Sequence, residues 1–235
     1  MKTFVILAAG NSTRFGSNKL LEKIGDYTLP QHAALFALEN GAERICVTVN
    51  RKGVYTNGSK ISHRVVDDLE RLIPNELEIA FQDDTMYGPG AALLPWRNKI
   101  KDEFVVLFGD NYYYGTLSDL PSNYCGFTYK SKVRHPDNLR LAAVIDDYIV
   151  EKPHGQLEGN FFCGYIQFPK DYWEDYTPQL NLSQRGEYEI ADLVNVVPDH
   201  YRVSLGLRLD KWFDITTKED LVRIREEIDE DYLRS

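Results

Sequence analysis

The chain is 235 residues long and 43% hydrophobic, enough for one sizeable core and near the upper end of what a single domain holds. Its 27 basic and 36 acidic side chains give a formal charge of −9, which argues against adhesion to nucleic acid or an anionic membrane. An anionic ligand such as a nucleotide therefore needs local cations, backbone N–H groups or a divalent metal to overcome that background.

The opening apolar run, Thr3-Phe-Val-Ile-Leu-Ala-Ala9, is short for a secretory segment and leads straight into a polar, glycine-containing loop, so it reads as a buried first strand. No stretch approaches the roughly 20 apolar residues of a membrane helix, and the expected location is cytoplasmic. Similar β-branched runs follow at 45–49, 77–81 and 104–108, alternating with amphipathic stretches at 29–39, 61–73 and, interrupted by Pro95, 91–100. Alternating strands and helices predict an α/β fold with a mostly parallel central sheet covered by helices on both faces. Ligands in such sheets sit at the strands' carboxyl ends.

Beyond Asp110 the pattern changes to aromatic and turn residues, with shorter strand-like runs at 125–129, 141–145 and 161–168. With no repeat and no Pro/Gly/Ser-rich linker, this half is expected to be a small α+β elaboration of the same domain. A nucleotide-binding half (1–115) and an acceptor-binding half (116–235) then make one domain. Thr217-Lys-Glu-Asp220 reads as a capping box opening a final amphipathic helix. Cys46, Cys125 and Cys163 have no metal-ligand spacing and read as reduced structural thiols; the five histidines likewise show no paired ligand spacing.

The loop after the first strand packs Gly10, Ser12, Thr13, Arg14, Gly16 and Lys19 into ten residues. Small residues let backbone N–H groups approach phosphate, while Arg14 supplies a planar fork and Lys19 a compact charge. It is not a P-loop, because its glycines are wrongly spaced and Leu20 follows Lys19; nor does it match G-x-G-x-x-G. A polar turn with solvated cations has the same composition.

Leu7-Ala-Ala-Gly10 with Thr13-Arg14 and Lys19 resembles the loop of the sugar-phosphate nucleotidyltransferases, especially the glucose-1-phosphate thymidylyltransferases. The resemblance continues, in order, through Gln82 with Gly88, Phe108-Gly-Asp-Asn-Tyr-Tyr-Tyr-Gly115, Val150-Glu-Lys-Pro153, Asn160 ahead of Gly164-Tyr165, Arg185-Gly-Glu-Tyr-Glu-Ile190 and Trp212-Phe-Asp-Ile-Thr-Thr217. It implies a Rossmann-like core and attack of a sugar 1-phosphate on the α-phosphorus of a nucleoside triphosphate, with release of pyrophosphate.

Carried over residue by residue, the resemblance assigns catalysis to Arg14, Lys19 and Lys152. Nucleotide binding falls to Leu7, Ala9, Gly10, Ser12, Thr13, Gln82 and Gly88. Substrate binding falls to Asn111, Glu151, Lys152, Asn160 and Arg185, and Mg²⁺ to Asp110 and Asp214. These residue types suit the task. Two carboxylates following apolar runs match magnesium's preference for one or two carboxylates plus phosphate oxygens. A Glu-Lys pair offers an acceptor for sugar hydroxyls beside an ammonium for phosphate, and a glutamine amide can pair with a pyrimidine edge. In the family, Gln82 and Gly88 occupy positions that read thymine or uracil.

Two departures stand out. Only four residues separate Arg14 from Lys19, a spacing closer to cytidylyltransferases and molybdopterin-type nucleotidyltransferases, and Thr216 stands where the family commonly has glycine. The expected partners are a pyrimidine triphosphate, dTTP or UTP, and a sugar 1-phosphate. The alternatives are a cytidylyltransferase using CTP with another phosphorylated metabolite, and a nucleotide-sugar-binding sensor without turnover. A homo-oligomer is compatible with the sequence.

Overall fold

The computed structural model describes residues 2–12, 15–57, 60–75, 77–115, 127–130, 142–145, 148–151, 160–176, 178–197, 205–206 and 211–232. Its centre is a five-stranded sheet built from β1 (Thr3–Ala8), β2 (Arg44–Val49), β3 (Leu77–Phe81), β4 (Phe104–Phe108) and β5 (Ile166–Phe168). The spatial order is β5-β4-β1-β2-β3, parallel throughout except for β5, which runs antiparallel to β4. This is the predicted α/β class with a mostly parallel, helix-flanked sheet.

Period-two geometry sends successive side chains of β1 to opposite faces of the sheet. Val5 and Leu7 join a core with Trp96, Phe104, Val106, Ile166 and Phe168 on one side. Phe4, Ile6 and Ala8 join another with Ala33, Phe36, Ile45, Val47 and Val65 on the other. An uninterrupted apolar run is thus what a strand with cores on both faces requires. The one polar side chain buried within β2, Thr48, accepts a 2.8 Å hydrogen bond from the Trp96 indole.

Helix α1 (Leu29–Glu39) occupies its predicted range and opens on a reciprocal capping box between Thr28 and Gln31. The stretch 61–73 is shorter as a helix than its periodicity suggests. Residues 60–63 pair antiparallel with 54–57, and α2 covers only Arg64–Leu72. The predicted 91–100 helix is a five-residue α3 (Pro89–Leu93) followed by a 3₁₀ turn at Leu94–Trp96, as expected where Pro95 removes a backbone donor.

The apolar run 161–168 divides into two strands in different sheets. Asn160–Phe162 joins a second sheet with Phe127–Lys130, Ala143–Ile145, Tyr148–Val150 and Leu205–Gly206, while β5 returns to the central one. The break falls at Gly164, whose φ is +69° and where a Cβ would stand 2.9 Å from the Phe108 ring. The capping box at 217–220 is present: Thr217 N donates to Asp220 and Asp220 N to the Thr217 hydroxyl, opening the helix Lys218–Tyr232. Among the described residues, no helix is long and apolar enough to cross a membrane.

Candidate active site

A cavity of about 280 Å³ opens at the carboxyl ends of β1 and β4. The expected nucleotide residues Leu7, Ala9, Gly10, Ser12, Gln82 and Gly88 line it, as do Lys19, Asp110, Asn111, Glu151, Arg185 and Asp214. Thr13, Arg14 and Lys152 lie outside the described residues; Asn160 is placed as the first residue of its strand.

The loop is held in shape by its own polar groups. The Asn50 amide donates to the Ala9 carbonyl at 2.8 Å, and Ser12 adopts a left-handed φ of +53°. The Ser12 hydroxyl accepts from Lys19 N at 3.2 Å, and its carbonyl from Phe15 N at 3.0 Å. A non-glycine residue in the left-handed region carries a conformational cost, which these two bonds help to offset. They also deliver the Lys19 side chain across the cavity floor. Its ammonium reaches Asp110 Oδ2 at 2.6 Å and the Ile215 carbonyl at 2.8 Å.

Asp110 follows β4 through Gly109, whose N–H donates to the Leu7 carbonyl at 2.9 Å; a Cβ there would come within 3.0 Å of the same oxygen. The two candidate metal carboxylates are brought together by a short antiparallel ladder, Asn111–Tyr114 against Lys211–Asp214, which sets Asn111 directly opposite Asp214. One Asn111 amide nitrogen donates to Asp110 Oδ1 at 3.1 Å and to Asp214 Oδ1 at 3.5 Å. The Thr216 hydroxyl donates to Asp214 Oδ2 at 2.8 Å. Burial, and then the neighbouring Asp110 carboxylate, push the Asp214 pKa up, against the opposing pull of Lys19 and Thr216. Two adjacent carboxylates suit a divalent cation that completes its shell with phosphate oxygens. No cluster of three or more His, Cys, Asp or Glu side chains suited to a metal occurs among the described residues.

Gln82 follows β3 and is only 5% exposed. Its side-chain nitrogen donates to the Met86 carbonyl. Gly88, with φ +123°, has its Cβ direction filled by the main chain of Tyr188: a methyl there would lie 2.5 Å from that carbonyl oxygen. Its glycine requirement comes from this seam. A Cβ on Gly90 would similarly meet the Glu189 carbonyl at 2.5 Å, and the backbone bonds Gly90 N to Tyr188 O and Tyr188 N to Tyr87 O stitch the two loops together.

On the acceptor side Arg185 Nη2 donates to both carboxylate oxygens of Glu189, at 2.7 and 2.8 Å, and lies 3.4 Å from Glu187 and 3.7 Å from Glu151. Its guanidinium holds three carboxylates at the wall. Ser183 adds a 2.8 Å bond to Glu189. Sequence reasoning did not single out Glu189, Ser183, Asn50 or the indole of Trp212, which donates to Asn111 Oδ1 at 2.8 Å. The four-residue spacing of Arg185 and Glu189 was the available signal for one of them. Cys46 and Cys163 are both buried, and burial pushes each thiol up to about 12; Cys125 lies outside the described residues.

Residues 4–115 match the family described as the MobA-like NTP transferase domain. The chain is 25% identical over 234 residues to the UTP–glucose-1-phosphate uridylyltransferase AglF of Haloferax volcanii, a match covering 92% of each protein. It is 27% identical over 150 residues to a bifunctional sugar-1-phosphate nucleotidylyltransferase/acetyltransferase of Sulfurisphaera tokodaii. That match covers 60% of this chain and 36% of the relative, so the chain spans about a third of that protein's length. In fold it is similar to a solved UDP-glucose pyrophosphorylase complexed with UDP-glucose, with a TM-score of 0.73 at 19% identity over 98% of this chain and 99% of the other.

Proposed function

We propose that this chain, whose residues 4–115 match the MobA-like NTP transferase domain and whose relatives include sugar-1-phosphate nucleotidyltransferases, makes a nucleotide sugar from a pyrimidine triphosphate and a sugar 1-phosphate. An oxygen of the acceptor phosphate bonds to the α-phosphorus as the bond from that phosphorus to the β-phosphate bridging oxygen breaks, and pyrophosphate leaves. The observation that carries the reading is the Lys19 ammonium seated 2.6 Å from Asp110, beside Asp214, at the mouth of the phosphate loop.

The loop's backbone and small side chains orient the triphosphate. Lys19, together with Arg14, neutralises charge developing at the α-phosphate and on the leaving pyrophosphate, and Lys152 steers the acceptor phosphate. A Mg²⁺ ion held by Asp110 and Asp214 would supply further neutralisation where the phosphates converge. A phosphate monoester dianion is already nucleophilic near neutral pH, so positioning and electrostatic stabilisation carry the rate without a general base. Glu151, 3.7 Å from Arg185, would accept hydrogen bonds from sugar hydroxyls. We assign the reaction to the cytoplasm, where nucleoside triphosphates are made.

The Gln82 amide supports uracil or thymine as the base. A carbonyl only accepts, so the contact with Met86 commits one N–H of the amide to that carbonyl and fixes which way the amide faces, leaving Oε1 and the second N–H for a ligand. Oε1 can accept from the N3–H of uracil or thymine, whereas cytosine presents an acceptor at that position. UTP with glucose 1-phosphate, the pair named by the Haloferax volcanii relative, is accordingly the first to assay. A panel of UTP, dTTP, CTP, ATP and GTP against several phosphorylated acceptors, read by pyrophosphate release, tests the assignment. Turnover confined to CTP would replace it, and tight nucleotide-sugar binding with no turnover of any pair would make the chain a sensor.

A further inference from the structure

We propose that Asn111, oriented by the indole N–H of Trp212, is a positioning residue that sets the spacing of the Asp110 and Asp214 carboxylates and thereby their affinity for a divalent cation. This rests on the reading above that these two carboxylates hold the cation. Asn111 is 2% exposed, and its side chain is engaged at both ends within the protein. Trp212 Nε1 donates to Oδ1 at 2.8 Å, while Nδ2 donates to Asp110 Oδ1 at 3.1 Å and to Asp214 Oδ1 at 3.5 Å.

The direction of these bonds follows from the chemistry of each group. An indole N–H is a donor only, so it can bond the amide through Oδ1 alone, and the opposite rotamer would set two N–H-bearing groups against each other. The same rotamer would turn Oδ1 toward two carboxylates. Trp212 therefore determines which end of Asn111 faces the acidic pair, and that end carries two hydrogens, one for each carboxylate. The ladder makes the contact possible. Asn111 stands opposite Asp214, and Trp212, two residues earlier on the same strand, is its diagonal neighbour, within reach of a long aromatic side chain.

The remaining carboxylate oxygens are held separately, Asp110 Oδ2 by Lys19 and Asp214 Oδ2 by Thr216. The Asn111 amide is thus the only described group that donates to both carboxylates. Residues that orient metal-binding carboxylates from behind commonly alter affinity by about 10–100-fold when replaced.

The test is Trp212→Phe, which keeps an aromatic ring and removes the N–H, alongside Asn111→Leu, which keeps much of the volume and removes the amide. Mn²⁺ titrated into the full chain and followed by electron paramagnetic resonance should bind about tenfold more weakly in each. The Mg²⁺ concentration for half-maximal pyrophosphate release should rise by a similar factor, with a smaller fall in turnover extrapolated to saturating Mg²⁺. UTP binding measured in excess EDTA should stay within about twofold of wild type, since a residue that orients the carboxylates acts through the cation.

Wild-type Mn²⁺ affinity in Trp212→Phe overturns the proposal; if that variant does not fold, wild-type affinity in Asn111→Leu does so equally. Loss of metal-free UTP binding in parallel with Mn²⁺ binding also overturns it, by showing general damage. Asp214→Asn separates the two layers. If it leaves Mn²⁺ binding intact, the carboxylate reading itself falls; if it abolishes binding while Trp212→Phe has no effect, only the positioning role does.

Discussion

Lys19 makes a 2.6 Å ion pair with Asp110 and a 2.8 Å bond to the Ile215 carbonyl, so its charge is committed to the floor of the cavity before any phosphate arrives. Its replacement by alanine removes a preorganised cation from the site where negative charge develops. We expect turnover to fall about 100-fold or more, measured as pyrophosphate release with the best substrate pair, and near-wild-type turnover would sink Lys19's catalytic role. Gln82 acts on selectivity instead of rate. Gln82→Ala should lower the ratio of kcat/KM for UTP over CTP by roughly 2–10-fold, the worth of one neutral hydrogen bond, in a side-by-side assay of the two triphosphates. An unchanged ratio would remove Gln82 from base selection.

Gly88 caps helix α3, and together with the helix's first turn it forms a seam with residues 188–189. The seam is close because neither Gly88 nor Gly90 carries a Cβ, and Gly88 also has a φ of +123° that other residues rarely adopt. Gly88→Ala would therefore suffer both a strained backbone and a contact of 2.5 Å with main chain that has no flexible end to yield. We expect a loss of about 2–4 kcal/mol in urea unfolding, together with weakened substrate binding, because the same seam seats Glu189 and Arg185 at the cavity wall. A variant of wild-type stability would show that the two loops are not packed as described.

For the whole molecule, the half-buried His32 and the buried His63 contribute to the response to acid. Burial lowers the pKa of both His32 and His63 despite backbone hydrogen bonds that pull the other way, and His63 Nδ1 is buried without a partner. A base whose folded pKa is depressed contributes stability that is fully present above its ordinary value of 6.5. That stability is lost as pH falls toward and through the lowered value, because the unfolded chain then binds protons that the folded one resists. The melting temperature should accordingly drop between pH 7.5 and 5.5, by about 2–4 °C for each kcal/mol lost. His32→Gln, which retains an N–H for the Ile24 carbonyl that His32 meets at 2.8 Å, should flatten that slope; an equally steep slope would assign the acid response elsewhere.

What the sequence determined was whatever repeats over two to four residues. The uninterrupted apolar runs of β1 and β4, the amphipathic period of α1, the capping box at 217–220 and the glycine, serine and cation content of the loop were all legible, because each depends on neighbours along the chain. The ordered motifs added an acceptor side and a carboxylate pair by resemblance. Only the tertiary structure decided contacts between distant segments. It set Asn111 against Asp214, 103 residues away, divided 161–168 between two sheets at Gly164, and filled the Cβ space of Gly88 with the Tyr188 main chain. It also gave direction to groups that local pattern leaves open: the Gln82 amide faces Met86, the Asn111 amide faces two carboxylates, and Arg185 is held by Glu189. An amide has two ends and a guanidinium several edges, and which one meets a ligand depends on partners that only folding supplies.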